Sequence, residues 1–164
     1  MKRILLAATA TAGVMMAQGA WASSPATTTL NVTADVPTVC SITAAPDLSF
    51  PAVTSNASAV TTSSAIQVTC TDGGAYTIGV VGANVVGGQN KLVSGSNYLN
   101  YNLYSDSGYS TVWDNGSNLV SPIGNGSAQT STLYAKIPSG QTLHVGTLAL
   151  SSQYADIVTV TVTY

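Results

Sequence analysis

Glutamate is absent from the 164 residues, and charge of either sign is scarce: four lysines and arginines, six aspartates and one histidine. So few cations exclude the basic footprint of a nucleic-acid binder and the polybasic segment of a membrane-surface anchor. There are only two cysteines, and neither has a histidine or a further cysteine at metal-ligand spacing. Phosphate-binding loops and dinucleotide fingerprints are also missing. Beyond residue 22 no apolar period of 3.6 persists for ten residues, which excludes a helical architecture. No apolar run reaches the roughly 20 residues needed to span a bilayer as a helix.

What is present begins with Lys2 and Arg3, an apolar stretch from Ile4 to Ala17, and Ala20-Trp21-Ala22, with small residues at the two positions a signal peptidase reads. Residues 1–22 are therefore expected to be a secretory signal peptide, and the exported chain to start near Ser23. Its removal leaves Lys91 and Lys136 against six aspartates, a net charge of 2 − 6 = −4. Thr, Ser, Asn, Gly and Val are abundant, the composition of a β-protein with an uncharged polar surface. Low charge protects weakly against association, so self-association fits as a working state.

From Ala26 to Val36 small or apolar residues recur at every second position, with Thr and Asn between most of them, the period of a half-buried strand. Further strands are expected over Thr38–Ile42 and Ala65–Thr71, with Leu48–Val53 a short apolar piece broken by Pro51. Asp72-Gly73-Gly74 reads as a hairpin turn into Tyr76–Val80, and Gly82–Asn97 as a loose region. Then come a strand carrying Leu99, Tyr101 and Leu103, a turn at Ser105–Gly108, and a return strand through Val112 and Trp113. Ser121–Thr130 reads as a loop, and strands follow over Leu133–Ile137 and Thr142–Leu150. In the closing run Val158, Val160, Val162 and Tyr164 share one face. About 140 residues suffice for one core, and short strands at regular spacing indicate an all-β antiparallel sandwich.

The cysteines, Cys40 and Cys70, both belong to the exported part and both point inward on their strands. An even count in an oxidising compartment most simply means one disulfide, with free thiols or half of a metal site as the alternatives. No catalytic, cofactor-binding or metal site is expected. His144 lies in a β-run and reads as a surface or edge histidine rather than the base of a triad. The aspartates fall mostly in turns, where they bond nearby amides. The segment around Asp106, Asp114 and Asn115 lacks the register of a calcium loop. Its tyrosines and Trp113 leave sugar binding open beside ordinary packing. Four N-x-S/T triplets start at Asn31, Asn56, Asn115 and Asn125 and matter only in a host that glycosylates.

Several segments in order, "YLNYNLYSDSGYSTVWDNG", "LYAKIPSGQ", Gly146 with Tyr154-Ala155-Asp156, and the closing "VTVTVTY", resemble the spore coat protein U domain family, which includes the subunits of archaic chaperone–usher pili of the Csu type. The spacing from Leu30 to Cys40 and the second cysteine in "IQVTC" match as well. Phe50 precedes Pro51 where the family usually has Phe-Gly. The resemblance implies an incomplete immunoglobulin-like sandwich over residues 37–164, completed by a donor strand from residues 23–36 of a neighbouring subunit. It implies that Thr28, Leu30, Val32 and Ala34 enter the neighbour's groove. The last strand, with Val158, Val160, Val162 and Tyr164, is where a periplasmic chaperone is expected to bind. The implied partners are homologous subunits in a head-to-tail polymer, the chaperone and an outer-membrane usher. The implied role is a non-enzymatic surface pilus subunit serving adhesion and biofilm formation. A coat or matrix protein that folds alone and a sugar-binding adhesin domain are the alternatives.

Overall fold

Alternation of β-branched and aromatic side chains with small polar ones favours strands wherever turns interrupt it. A computed structural model describes residues 24–54, 57–144 and 153–164, so the expected signal peptide lies outside them. Among the described residues there is no helix, and there are eight strands: β1 (Cys40–Ala44), β2 (Val60–Cys70), β3 (Thr77–Gly82), β4 (Val85–Val86), β5 (Gln89–Ser94), β6 (Asn97–Tyr104), β7 (Ala128–Ile137) and β8 (Val158–Thr163). Residues 24–34 belong to a unit separate from Asp35–Tyr164, and they carry no strand and are exposed throughout.

Within Asp35–Tyr164 two antiparallel sheets form. The larger has the order β1-β2-β7-β6-β5-β4, and the smaller is β3-β8. The longest ladder joins β2 to β7 from Val60↔Ile137 to Thr69↔Ala128. Period-two alternation puts Ile66, Val68, Tyr101, Leu103, Leu133 and Ile137 on the inner face of the large sheet, and Ile78 and Val80 of β3 oppose them. Trp113 fills the centre at 1% exposure, its indole N–H donating to the Ile78 carbonyl at 2.8 Å. A buried indole is thereby satisfied and rigidly placed, and it is not available to stack on a sugar.

Four sequence expectations are corrected. The turn at Asp72-Gly73-Gly74 does not close a hairpin. Gly73 takes φ +75°, and the chain passes from β2 in one sheet to β3 in the other, where β3 pairs with β8 from Thr77↔Thr163 to Gly82↔Val158. A turn signal specifies a local reversal and not which sheet receives the next strand. The loose region Gly82–Asn97 contains β4 and β5, and β5 pairs with β6 from Asn90↔Tyr101 to Ser94↔Asn97. Its Gly and Asn residues mark a tight β4–β5 turn, with Gly87 and Gly88 both at positive φ. The return strand through Val112 is a single bridge to Tyr104. Thr142–His144 form no strand, and residues 145–150 of that expected strand lie outside the described residues.

The disulfide is present. Cys40 and Cys70 are register partners at the end of the β1–β2 ladder and are bonded to each other.

Candidate functional site

β3 lies between two neighbours. On one side it pairs with β8, and on the other Ile78 exchanges hydrogen bonds with Val120 at 2.7 and 3.1 Å, while the Tyr76 amide donates to the Pro122 carbonyl. β8 has β3 alone as a strand neighbour among the described residues. No described strand pairs with its other edge, and a strand edge of that kind offers backbone donors and acceptors for pairing.

Burial along β8 shows the same incompleteness. Inward positions of the neighbouring strands are sealed: Ile78, Val80, Leu133, Ala135 and Ile137 are each at most 4% exposed. Val158, Val160 and Val162 face the same core yet are only half-buried. Beside them lies a groove of about 950 Å³, whose apolar walls include Leu48, Phe50, Ile66, Leu92, Leu133 and Val160. Its outer wall is the irregular segment 45–54, which is tied to β2 by the Thr62 hydroxyl donating to the Ser49 carbonyl at 2.7 Å and the Ser64 hydroxyl donating to the Pro46 carbonyl at 2.6 Å. Phe50 meets the Tyr101 ring edge-on at 6.3 Å.

A polar network also borders the groove, through Tyr101 and Asp156. One Asp156 carboxylate oxygen accepts from the Tyr101 hydroxyl at 2.7 Å. The other accepts from the Asn84 backbone and side-chain amides at 3.0 and 2.8 Å and from the Ile157 amide at 2.9 Å. Burial, reinforced by this bond and the carboxylate's charge, pushes the Tyr101 hydroxyl well above its ordinary range. Gly82 permits the arrangement, because a Cβ there would collide with Asp156 Oδ2 and stand 2.8 Å from both Asn90 Oδ1 and the Tyr101 hydroxyl. Sequence reasoning missed this network: Tyr154-Ala155-Asp156 stood out only as part of a family pattern, with no indication of what Asp156 touches.

Chemically, a strand edge with no partner among the described residues, over an apolar floor, suits an extended segment whose main chain would pair with β8 and whose alternate side chains would fill the floor. Among the described residues no group of three or more His, Cys, Asp or Glu could hold a metal ion.

Of the residues singled out from sequence, Val158, Val160 and Val162 lie on β8 against the core. Tyr164 stands just past β8, exposed, beside a shallow depression with Ala75 and Ile123. Thr28, Leu30, Val32 and Ala34 are all exposed, Leu30 at 86% and Val32 at 87%.

Two antiparallel sheets, with no strand beside the second edge of β8 among the described residues, define the class, and comparison with known proteins names it. The spore coat protein U domain matches residues 26–161, and the chain belongs to that family. No curated protein sequence matches. Among solved structures the fold is similar to a chain in the crystal structure of the CsuC–CsuE chaperone–tip adhesion subunit pre-assembly complex from archaic chaperone–usher Csu pili of Acinetobacter baumannii. The identity is 24% and the TM-score 0.57, over 79% of this chain and 40% of that one. The chain thus spans well under half the length of that neighbour.

Proposed function

We propose that the protein is a structural subunit of a surface pilus, exported through the periplasm and assembled with a chaperone and usher, and that residues 26–36 of each copy occupy the groove beside β8 of the preceding one. The observation that carries this reading is the half-buried inner face of β8 beside an open apolar groove. The same chain supplies a matching occupant: an exposed segment alternating Thr28, Leu30, Val32 and Ala34. Fully extended, Thr28 to Ala34 spans about 20 Å, close to the length of a six-residue strand such as β8. Membership of the spore coat protein U family and the fold shared with a chain from a chaperone–usher complex support the same reading.

In this scheme the chaperone shields β8 until the next subunit's segment replaces it. The contact is head-to-tail and does not close on itself, so it propagates a fibre, whose surface role is adhesion and biofilm formation. Deletion of residues 24–34 tests the scheme, because Asp35–Tyr164 forms a unit of its own. The deleted subunit should accumulate bound to chaperone and add no further subunit. Fibres of normal length from the deletion would refute it.

A further inference from the structure

The sheet face opposite the groove carries a second feature that strand exchange does not use. Beyond residue 22 the chain has two cations, Lys91 and Lys136, and both lie on the outer face of the large sheet, each over a tyrosine ring. Lys91 Nζ is 3.9 Å from the centroid of Tyr98, which is half exposed, and Lys136 Nζ is 5.4 Å from that of Tyr109. The register places Lys91 opposite Asn100 and Lys136 opposite Asn102, two positions apart on β6 and on its two sides. Strand spacing and rise then put the two lysine Cα atoms roughly 12 Å apart.

Three tyrosines, Tyr104, Tyr109 and Tyr134, form a connected platform. Tyr109 meets Tyr104 edge-on at 5.6 Å and Tyr134 at 6.2 Å. Tyr109 has a positive φ of 56°, a conformation bulky side chains avoid. Asp106 holds it there: its carboxylate accepts from the Thr111 amide at 2.6 Å, the Ser110 hydroxyl at 2.9 Å and the Ser110 amide at 3.2 Å. The loop is thus folded so as to lay Tyr109 on the outer face beneath Lys136. Amides flank the rings, with the Gln89 side chain donating to Asn102 Oδ1 at 2.9 Å.

We infer that this face, centred on Tyr109 with Lys91 and Lys136, binds an anionic polysaccharide of the polyuronate class. Rings and amides match the faces and hydroxyls of sugars, and two spaced ammonium groups match carboxylates recurring along the polymer. Two cations neutralise too few phosphates to hold nucleic acid. A second copy of the chain offers a poorer match, because Asp106, Asp114 and Asp156 are engaged in their own hydrogen bonds and Asp35, Asp47 and Asp72 are scattered single charges.

The test measures binding of alginate and of neutral dextran by the exported protein, wild type against Lys91→Gln, Lys136→Gln and Tyr109→Gly. Glycine adopts φ 56° freely, so Tyr109→Gly removes the ring without straining the loop. Alginate should bind, weaken as salt is raised, and weaken by about tenfold or more in the lysine double variant and in Tyr109→Gly. Fibre formation should stay at the wild-type level in both, and thermal unfolding should do so in the lysine double variant. Equal binding of dextran, undiminished binding by the variants, or no binding of alginate would overturn the inference. So would lysine-dependent bundling of the protein alone without alginate binding.

Discussion

The Tyr101 hydroxyl, on β6 of the large sheet, donates to the Asp156 carboxylate just ahead of β8 at 2.7 Å, one of the hydrogen bonds that tie the two sheets together beside the groove. Tyr101→Phe removes it, and a bond to a charged group is worth about 1.5–3 kcal/mol. Denaturant unfolding should show a loss in that range. Gly82→Ala, which forces a methyl group into the same network, should cost about 1–3 kcal/mol without removing any hydrogen-bonding group.

The same burial makes an alkaline prediction. The Tyr101 and Tyr76 hydroxyls are raised above the ordinary value of 10.0, so the folded protein keeps these protons where the unfolded chain loses them. Stability should be undiminished below pH 10.0 and should fall above it. Ultraviolet titration of the phenolates should show Tyr101 ionising only with unfolding and Tyr76 above pH 10.0, and Tyr101→Phe should flatten the decline.

The disulfide closes a loop of 30 residues between β1 and β2, and in the chain-entropy model such a loop contributes about 3–4 kcal/mol. Replacing both cysteines by alanine should lower the unfolding free energy by up to that amount, read from the denaturant midpoint. An unchanged midpoint would show that β1 is held by other contacts.

Asp106 and Asp114 organise their loops through hydrogen bonds that favour the charged carboxylate, first to the Thr111 amide and to the Asn118 amide respectively, and both titrate below the ordinary 3.8. Their contribution is full above that value and is lost as pH falls through the lower folded-state value. Carbon-detected NMR titration should therefore find both below 3.8, and Asp114→Ala should loosen residues 114–118 without unfolding the core.

Much of the fold was legible because buried strands enforce period two: β6, β8, the second half of β2 and Leu133–Ile137 of β7 carry the alternation read from sequence, whereas Val60–Ser64 of β2 was not read as strand and Ala128–Thr130 of β7 read as loop. Pairing was less legible. Nothing local in Asp72-Gly73-Gly74 distinguishes a hairpin from a crossing between sheets, and β4 and β5 were obscured because Gly and Asn signal turns as strongly as loops. At the site, the valines of β8 were readable from the pattern. The Asp156–Tyr101 bond was not, because it joins residues 55 apart in sequence and depends on the bare backbone at Gly82. Trp113 stayed open for the opposite reason: an aromatic beside Asp and Asn reads the same whether it faces sugar or core, and the core, the more common environment, is where it lies.

The most direct test of subunit exchange is to place a charge at alternate positions of the N-terminal segment and measure periplasmic subunit and surface fibre together. Leu30 and Val32 would each lose roughly 1.5–3 kcal/mol of burial in the groove, and an unpaired buried charge adds a further penalty. Leu30→Asp and Val32→Asp should therefore abolish fibres while leaving soluble, chaperone-bound subunit at the wild-type level, and Asn31→Asp, facing outward, should still assemble. Wild-type fibre levels from Leu30→Asp and Val32→Asp would contradict the account.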